Sequence, residues 1–169
     1  MPRPIYGLCV GLLAIACDGG DVPRFPATVS AVDVHHFAAA WIRRKDSTCT
    51  AFRSYFDSAS MGLRAYASKF HVGADEVCAS VRRSPDRYVT VVANVSAFDS
   101  AAVQVESVFT RYRMLDPSAR MPSVYFVVGN AIAGGATTRG RDPIILIGAE
   151  LNATAKGMSW IIAHELAHT

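Results

Sequence analysis

Two short apolar runs late in the chain constrain its fold more than any other feature. Residues 123–128 and 144–147 consist mainly of aliphatic and aromatic side chains, and each run lies between a proline and a glycine. Apolar runs of this length with turn residues at both ends are typical of buried strands. The glycine-rich connection over residues 133–142 lacks the Gly-Lys-Ser/Thr ending of a phosphate-binding loop. We therefore expect two strands, and an antiparallel pair is the simplest arrangement.

The chain before these strands shows the apolar spacing of amphipathic helices. Asp33 and Asp99 are placed to cap two of them, Gly62 interrupts another, and Asp116-Pro117 ends the last. Residues 87–92 also have strand composition, but the Ser-Pro-Asp before them favours a helix start. With the two strands, these helices predict an α+β fold, a mostly helical domain with a small antiparallel sheet. The predicted helical stretches are 33–45, 49–71, 74–95 and 99–115.

The composition indicates one globular domain. A chain of 169 residues is long enough to bury a core, and its 51% hydrophobic and 18% charged residues argue against disorder. The net charge is only +3, and the basic runs at 43–45 and 82–83 are short enough to be solvated faces. Nothing in the composition therefore indicates a nucleic-acid partner.

The first residues differ from the rest of the chain. Arg3 precedes an apolar run over residues 5–16 that is too short to span a bilayer and ends in the small-x-small triplet Ala-Ile-Ala. This order is typical of a secretory signal, although a structural helix is the alternative. We expect a signal peptide over residues 1–16, a lipid anchor on Cys17 or plain cleavage before it, and a tether over 17–31. The protein would then be exported, either periplasmic or a membrane-anchored lipoprotein.

Export bears on the cysteines. Removal of the signal would take away Cys9, and lipidation would occupy Cys17, which leaves Cys49 and Cys78. An oxidising compartment permits a disulfide between these two. Two buried free thiols explain the sequence equally well.

The last ten residues carry the most specific motif of the chain. His164, Glu165 and His168 form the pattern His-Glu-x-x-His on a helix predicted to begin near residues 156–159. Because positions i and i+4 share one helix face, both imidazoles can bind one zinc ion at about 2.0–2.1 Å. Glu165 lies about 100° further around the helix, so it would serve as general base toward a zinc-bound water that hydrolyses a peptide bond. Apolar residues flank the three polar ones, as a buried helix requires, although a motif this short also occurs by chance.

The order of several short motifs resembles the bacterial family of predicted zinc-dependent proteases, in which the metal motif lies late in a mostly helical domain. The resemblance covers most of the chain after residue 16. It implies a zincin-like fold, zinc as cofactor and a peptide or protein as substrate. The matching stretches are Asp33-x3-Phe37-x2-Ala40-Trp41, Tyr55-x4-Ser60-Met-Gly62-Leu63, Val124-Tyr-Phe-Val-Val-Gly129, Gly134-Gly135, Ile147-Gly148-x-Glu150 and Ala163-His164-Glu165-Leu166-x-His168.

An extended substrate commonly binds along an edge strand beside the metal helix of a zinc peptidase. Here that edge would be residues 144–148, with Ile147 and Gly148 as substrate-binding residues. Zincins of the two-histidine, one-carboxylate kind take a third zinc ligand from a later helix. The nearest candidates in this chain are Glu150 and His71, and a cleft or structural role suits Glu150 better.

We therefore expect residues 32–169 to form a zincin-like metallopeptidase domain that is incomplete at its C-terminus and hydrolyses little as it stands. The rival interpretation is a non-catalytic exported lipoprotein, or a peptide- or metal-binding protein, that has kept a vestigial motif. Intact Glu165 favours catalysis, because a metal binder needs only the histidines.

Overall fold

A computed structural model describes residues 27–44, 49–153 and 155–169 of the chain. The predicted signal peptide over 1–16 and the predicted lipidation of Cys17 lie outside these residues. Within the described ranges, none of the helices combines the length and the apolar character needed to cross a bilayer.

The described residues form an α+β fold, as predicted, in which helices surround a small sheet. The predicted helical interpretation of residues 74–95 is confirmed, with Pro85 at the first position of its second helix. The helices are α1 Val32–Arg43, α2 Thr50–Asp57, α3 Met61–Phe70, α4 Ala74–Arg83, α5 Pro85–Ala93, α6 Val95–Asp99, α7 Ala101–Leu115 and α8 Ala155–Leu166. The strands are β1 Val29–Ser30, β2 Ser123–Val127, β3 Gly135–Thr137 and β4 Ile144–Gly148.

Neither predicted helix cap has its predicted role. Asp33 lies inside the first turn of α1, where its buried carboxylate accepts hydrogen bonds from the backbone amide (3.0 Å) and the hydroxyl of Ser60. Ser60 in turn caps α3 by accepting from the Leu63 amide. Asp99 ends α6, and its carboxylate lies 2.6 Å from the His35 ring instead of capping α7. Both aspartates therefore join two separate elements, which residue spacing within one helix cannot indicate.

The sheet has the order β1-β2-β4-β3, and two predictions about it are wrong. Strands β2 and β4 are parallel, because the connection between them contains the extra strand β3. That strand runs antiparallel to β4, so the chain reverses twice and β4 regains the direction of β2. Residues 144–148 are consequently not an edge, since β4 is hydrogen-bonded to β2 on one side and to β3 on the other.

The predicted tether also ends inside the domain. Val29 and Ser30 pair in parallel with Val124 and Tyr125 of β2, so the described end of the 17–31 segment is part of the sheet. The tether prediction is therefore wrong for these residues.

The helical side of the core is built on aromatic rings and a disulfide. The ring of Phe37 lies 5.6 Å from that of Phe52 and 5.7 Å from that of Tyr55, measured between centroids. Cys49 and Cys78 are disulfide-bonded, which joins the start of α2 to α4. The disulfide, one of the two arrangements left open by the sequence, is therefore the one in the structure.

Candidate metal centre and peptide cleft

Helix α8 is held in place by a buried apolar stripe. Met158, Ile162 and Leu166 recur every four residues and are fully buried, and the helix packs against α7, β3 and β4. This spacing places all three side chains on one face. The opposite side, with His164 and His168, is therefore exposed.

The two histidines point their ring nitrogens at one another. The Nε2 atoms of His164 and His168 lie 3.3 Å apart. Two ligands about 2.05 Å from one tetrahedral ion are separated by about 3.3 Å, so this separation fits a shared zinc ion. Trp160 stacks on the His164 ring, with centroids 5.4 Å apart and planes 13° from parallel. The indole therefore restrains the orientation of that imidazole.

The last turn of the helix keeps His168 in register with His164. Regular helix ends at Leu166, and the amides of Ala167, His168 and Thr169 bond to carbonyls three residues back at 3.1–3.2 Å. Bonds of this type tighten the final turn of a helix. The second imidazole therefore stays on the same face although the α-helical pattern has ended.

No third protein ligand stands beside this pair in the part of the chain that the structure describes, where no group of three or more His, Cys, Asp and Glu side chains could hold a metal. Of the two candidates from the sequence, His71 ends α3 in a left-handed conformation with φ of 53°. Glu150 is buried, and its carboxylate accepts hydrogen bonds from the amides of Gly129 (3.1 Å) and Ala131 (3.0 Å). Burial raises the pKa of Glu150. Glu150 therefore has a structural role, because its carboxylate binds the backbone that follows β2.

Glu150 belongs to a set of polar side chains that fix the turn after β2. The Tyr55 hydroxyl bonds to both the amide and the carbonyl of Val128 at 3.0 Å, and the Tyr88 hydroxyl donates to the Gly129 carbonyl at 3.0 Å. Burial raises the pKa of Tyr88 to about 12, so this hydroxyl remains a donor near neutral pH. This turn leads directly into β3, whose position it helps to set.

Glu165 is buried beneath β3, with only 6% of its surface exposed. The Thr137 hydroxyl lies 2.9 Å from both Oε2 and the backbone carbonyl of Glu165. The approach of the strand requires glycine, because a Cβ on Gly135 would lie 2.7 Å from Glu165 Oε1. Thr137 and Gly135 thus complete the surroundings of Glu165, and sequence reasoning missed them. The Gly134-Gly135 pair was a signal for close backbone approach.

Strand β3 presents a free edge, since it is the outer strand of the described sheet. The Thr138 amide donates to the Ile144 carbonyl, and the Gly148 amide donates to the Gly134 carbonyl, both at 3.0 Å. In an antiparallel ladder, alternate residues bond to the same neighbour. Residues 134, 136 and 138 therefore face β4, and the backbone groups of Gly135 and Thr137 face away from it.

The predicted substrate contacts at Ile147 and Gly148 assumed that residues 144–148 form an edge strand, and the structure removes that premise. Ile147 is fully buried and pairs with both β2 and β3. Gly148 pairs with β2, and its amide donates to the carbonyl of Gly134, the residue just before β3. The edge that a peptide can reach is β3, which is too short and too small in its side chains to be recognised as a strand from sequence.

An open cleft of about 400 Å³ lies along this edge. His168 and Glu165 line it, but His164 is not among its lining residues. Its remaining lining residues come from the end of α3 and from the β3 segment, and they are Lys69, Phe70, Ala133, Gly135, Ala136, Thr137, Thr138 and Arg139. Helix α8, the carboxylate of Glu165 and the free edge of β3 thus meet in one cleft.

Comparison of the chain with protein-family models, with curated proteins and with solved structures finds no match.

Proposed function

We propose that this chain carries the metal site of an exported zinc-dependent peptidase. The observation that carries the proposal is the 3.3 Å separation of the His164 and His168 Nε2 atoms, beside a cleft that also holds Glu165. Paired imidazoles at a zinc-compatible distance, a carboxylate and an unpaired strand edge together fit peptide hydrolysis better than metal storage, which needs only ligands.

His164 and His168 would hold zinc through Nε2. When bound, zinc supplies a Lewis acid that makes water a usable nucleophile near neutral pH. Glu165 would accept the proton of that nucleophile and pass it to the leaving amine. The Thr137 hydroxyl lies 2.9 Å from Oε2 and holds that oxygen, so Oε1 would be the oxygen that takes up the proton. One carboxylate oxygen is therefore anchored and the other is available for proton transfer.

The substrate would bind as an extended strand along β3. The backbone groups of Gly135 and Thr137 are two residues apart and face away from β4, which is the spacing at which an added strand forms hydrogen bonds. A peptide held there lies in the same cleft as Glu165 and His168. The backbone of the substrate supplies most of this recognition, so hydrolysis would require an unfolded or extended segment.

The test combines zinc stoichiometry with hydrolysis of an unstructured protein such as casein. Native mass spectrometry should find one zinc per chain, lost in His164→Ala and in His168→Ala and kept in Glu165→Gln. Hydrolysis by the wild-type chain should be slow, because two protein ligands hold the zinc instead of the usual three. It should fall further in Glu165→Gln, by about 10²–10⁴-fold, the range for loss of a general base. Unchanged hydrolysis in that variant would contradict the proposed role of Glu165.

A second candidate is a peptide- or metal-binding protein without hydrolysis. It is favoured by the number of ligands, because catalytic zinc usually has three from the protein and the described residues bring two together. The same experiment separates the two. Bound zinc without hydrolysis by the wild-type chain, at any zinc concentration, would support this second candidate.

Export, with a lipid anchor on Cys17, is a proposal that depends on the sequence alone. Mass spectrometry of the protein expressed in a bacterium should find a mature chain that begins at Cys17 and carries lipid. A chain that retains Met1 and the residues after it would contradict this proposal.

A further inference from the structure

We infer that the cleft beside β3 selects extended peptides that carry aspartate or glutamate side chains, through Lys69 and Arg139. The inference deepens the proposed function, on which it depends for the hydrolysis of the peptides but not for their binding. The hydrogen bonds of an added strand use only backbone groups, so they do not distinguish one peptide sequence from another. The charged side chains around the edge therefore decide which sequences bind.

The two cations reach the cleft from separate elements. Lys69 lies in the last turn of α3, and Arg139 follows β3 by two residues. Both are exposed, and both line the cleft. The ion pairs in the described part of the chain are His35–Asp99 and Arg113–Glu106, neither of which involves a cleft residue. Lys69 and Arg139 are therefore uncompensated by acidic partners among the described residues.

The acidic side of the cleft does not cancel this charge. Glu165 is the one carboxylate among the described lining residues, and it is buried beneath β3 with Oε2 bonded to Thr137. Two exposed cations against one buried carboxylate leave the mouth of the cleft positive. Electrostatic complementarity of this kind sets specificity and association rate.

Arg139 also lies at a position along the chain where it can contact a peptide bound to β3. It lies two residues after Thr137, which is about 6–7 Å of extended chain. An added peptide that pairs with Gly135 and Thr137 would place its next residues beside this guanidinium. Arginine binds carboxylates through two parallel hydrogen bonds, so the peptide side chain expected there is aspartate or glutamate.

The test measures binding by fluorescence anisotropy with the full chain and zinc. Two labelled ten-residue peptides would be compared, identical except that two aspartates in one are asparagines in the other. The acidic peptide should bind about tenfold more tightly at low ionic strength, because an exposed ion pair contributes about threefold to affinity. The difference should vanish in about 1 M salt, where the Debye length falls to about 3 Å.

Matched variants locate the effect. Lys69→Gln and Arg139→Gln should each reduce the preference about threefold, whereas Arg82→Gln removes an exposed cation on α4, outside the cleft, and should leave it unchanged. Equal affinity for the two peptides would overturn the inference. So would an equal loss of preference in the Arg82 variant, because the selection would then reflect net charge alone.

The two proposals fail in different ways. Hydrolysis that depends on Glu165 but ignores peptide charge would remove the inference and leave the peptidase standing. Charge-selective binding that Lys69 and Arg139 control, without hydrolysis, would support the inference and remove the peptidase.

Discussion

The contact between β3 and α8 can be tested with one methyl group. In Gly135→Ala the new Cβ would lie 2.7 Å from Glu165 Oε1, 2.7 Å from Ile161 Cγ1 and 2.9 Å from Glu165 Cγ. Ordinary contacts between such atoms are about 3.5–4.0 Å. Neither neighbour moves easily, because Ile161 is buried and the Glu165 carboxylate is bonded to Thr137. The strand and the helix must therefore separate by roughly 1 Å to reach ordinary contact distances.

Overpacking of this kind costs about 1–3 kcal/mol, and the lower chain entropy of alanine in the unfolded state returns about 0.4–1 kcal/mol. We therefore expect Gly135→Ala to lower the free energy of unfolding by about 1–2 kcal/mol. The shift of Glu165 relative to the cleft should also reduce hydrolysis. The assay is urea unfolding at neutral pH, with an unchanged m-value as evidence that the unfolded state is unaffected.

The adjacent glycine is the control. A Cβ on Gly134 would lie 3.2 Å from Asn152 Nδ2 and 3.7 Å from Leu151 Cβ, so Gly134→Ala should change the free energy of unfolding by less than about 1 kcal/mol. If Gly135→Ala lowers the free energy of unfolding no more than Gly134→Ala, then β3 does not lie as close to Glu165 as the structure has it.

Three further predictions concern the same scaffold. Thr137→Val should lower the free energy of unfolding by about 1.5–3 kcal/mol, because it removes the hydroxyl donor to the buried Glu165 carboxylate; Thr137→Ser keeps the donor and should retain most of the stability in the same urea assay. Reduction of the Cys49–Cys78 disulfide, whose cysteines are 29 residues apart, should cost about 3.5 kcal/mol on the chain-entropy model, and a midpoint unchanged by reductant would contradict this. Burial raises the pKa of Glu150 above its ordinary 4.5. The contribution of the protonated carboxyl to the free energy of unfolding is therefore full below that value and is lost as the pH rises through the folded pKa. Wild type should therefore lose stability relative to Glu150→Gln as the pH rises above about 4.5, and a constant difference in urea midpoint would refute this.

The fold class was predictable because its signals are local. The apolar runs that became β2 and β4 are bounded by proline and glycine, and the helices have regular apolar spacing. The sheet topology was not predictable, because β3 is the three residues Gly135, Ala136 and Thr137. Glycine and alanine have little strand propensity, and one threonine beside them makes no recognisable strand pattern. The conformation of β3 results from its pairing with β4. The mistaken edge at Ile147 and Gly148 follows directly from the missing strand.

The candidate site also combines a local contact that the sequence predicts with long-range contacts that it does not predict. The convergence of His164 and His168 depends on helix spacing within five residues, so the sequence predicts it and the structure has the two Nε2 atoms 3.3 Å apart. The partner of Glu165 is Thr137, 28 residues earlier in the chain. Lys69 is further still, on α3. Contacts of this range are set by tertiary packing, which no local pattern in the sequence encodes.

The proposed metal site requires two imidazoles of one helix to share one metal ion. Nuclear magnetic resonance of the chain with ¹⁵N-labelled histidine tests it directly, because metal binding changes the resonance of the coordinated ring nitrogen. On addition of one equivalent of zinc, the Nε2 signals of His164 and His168 should shift together, while those of His35, His36 and His71 should not. A zinc-dependent shift at only one of the pair, or at the other three histidines instead, would contradict the account.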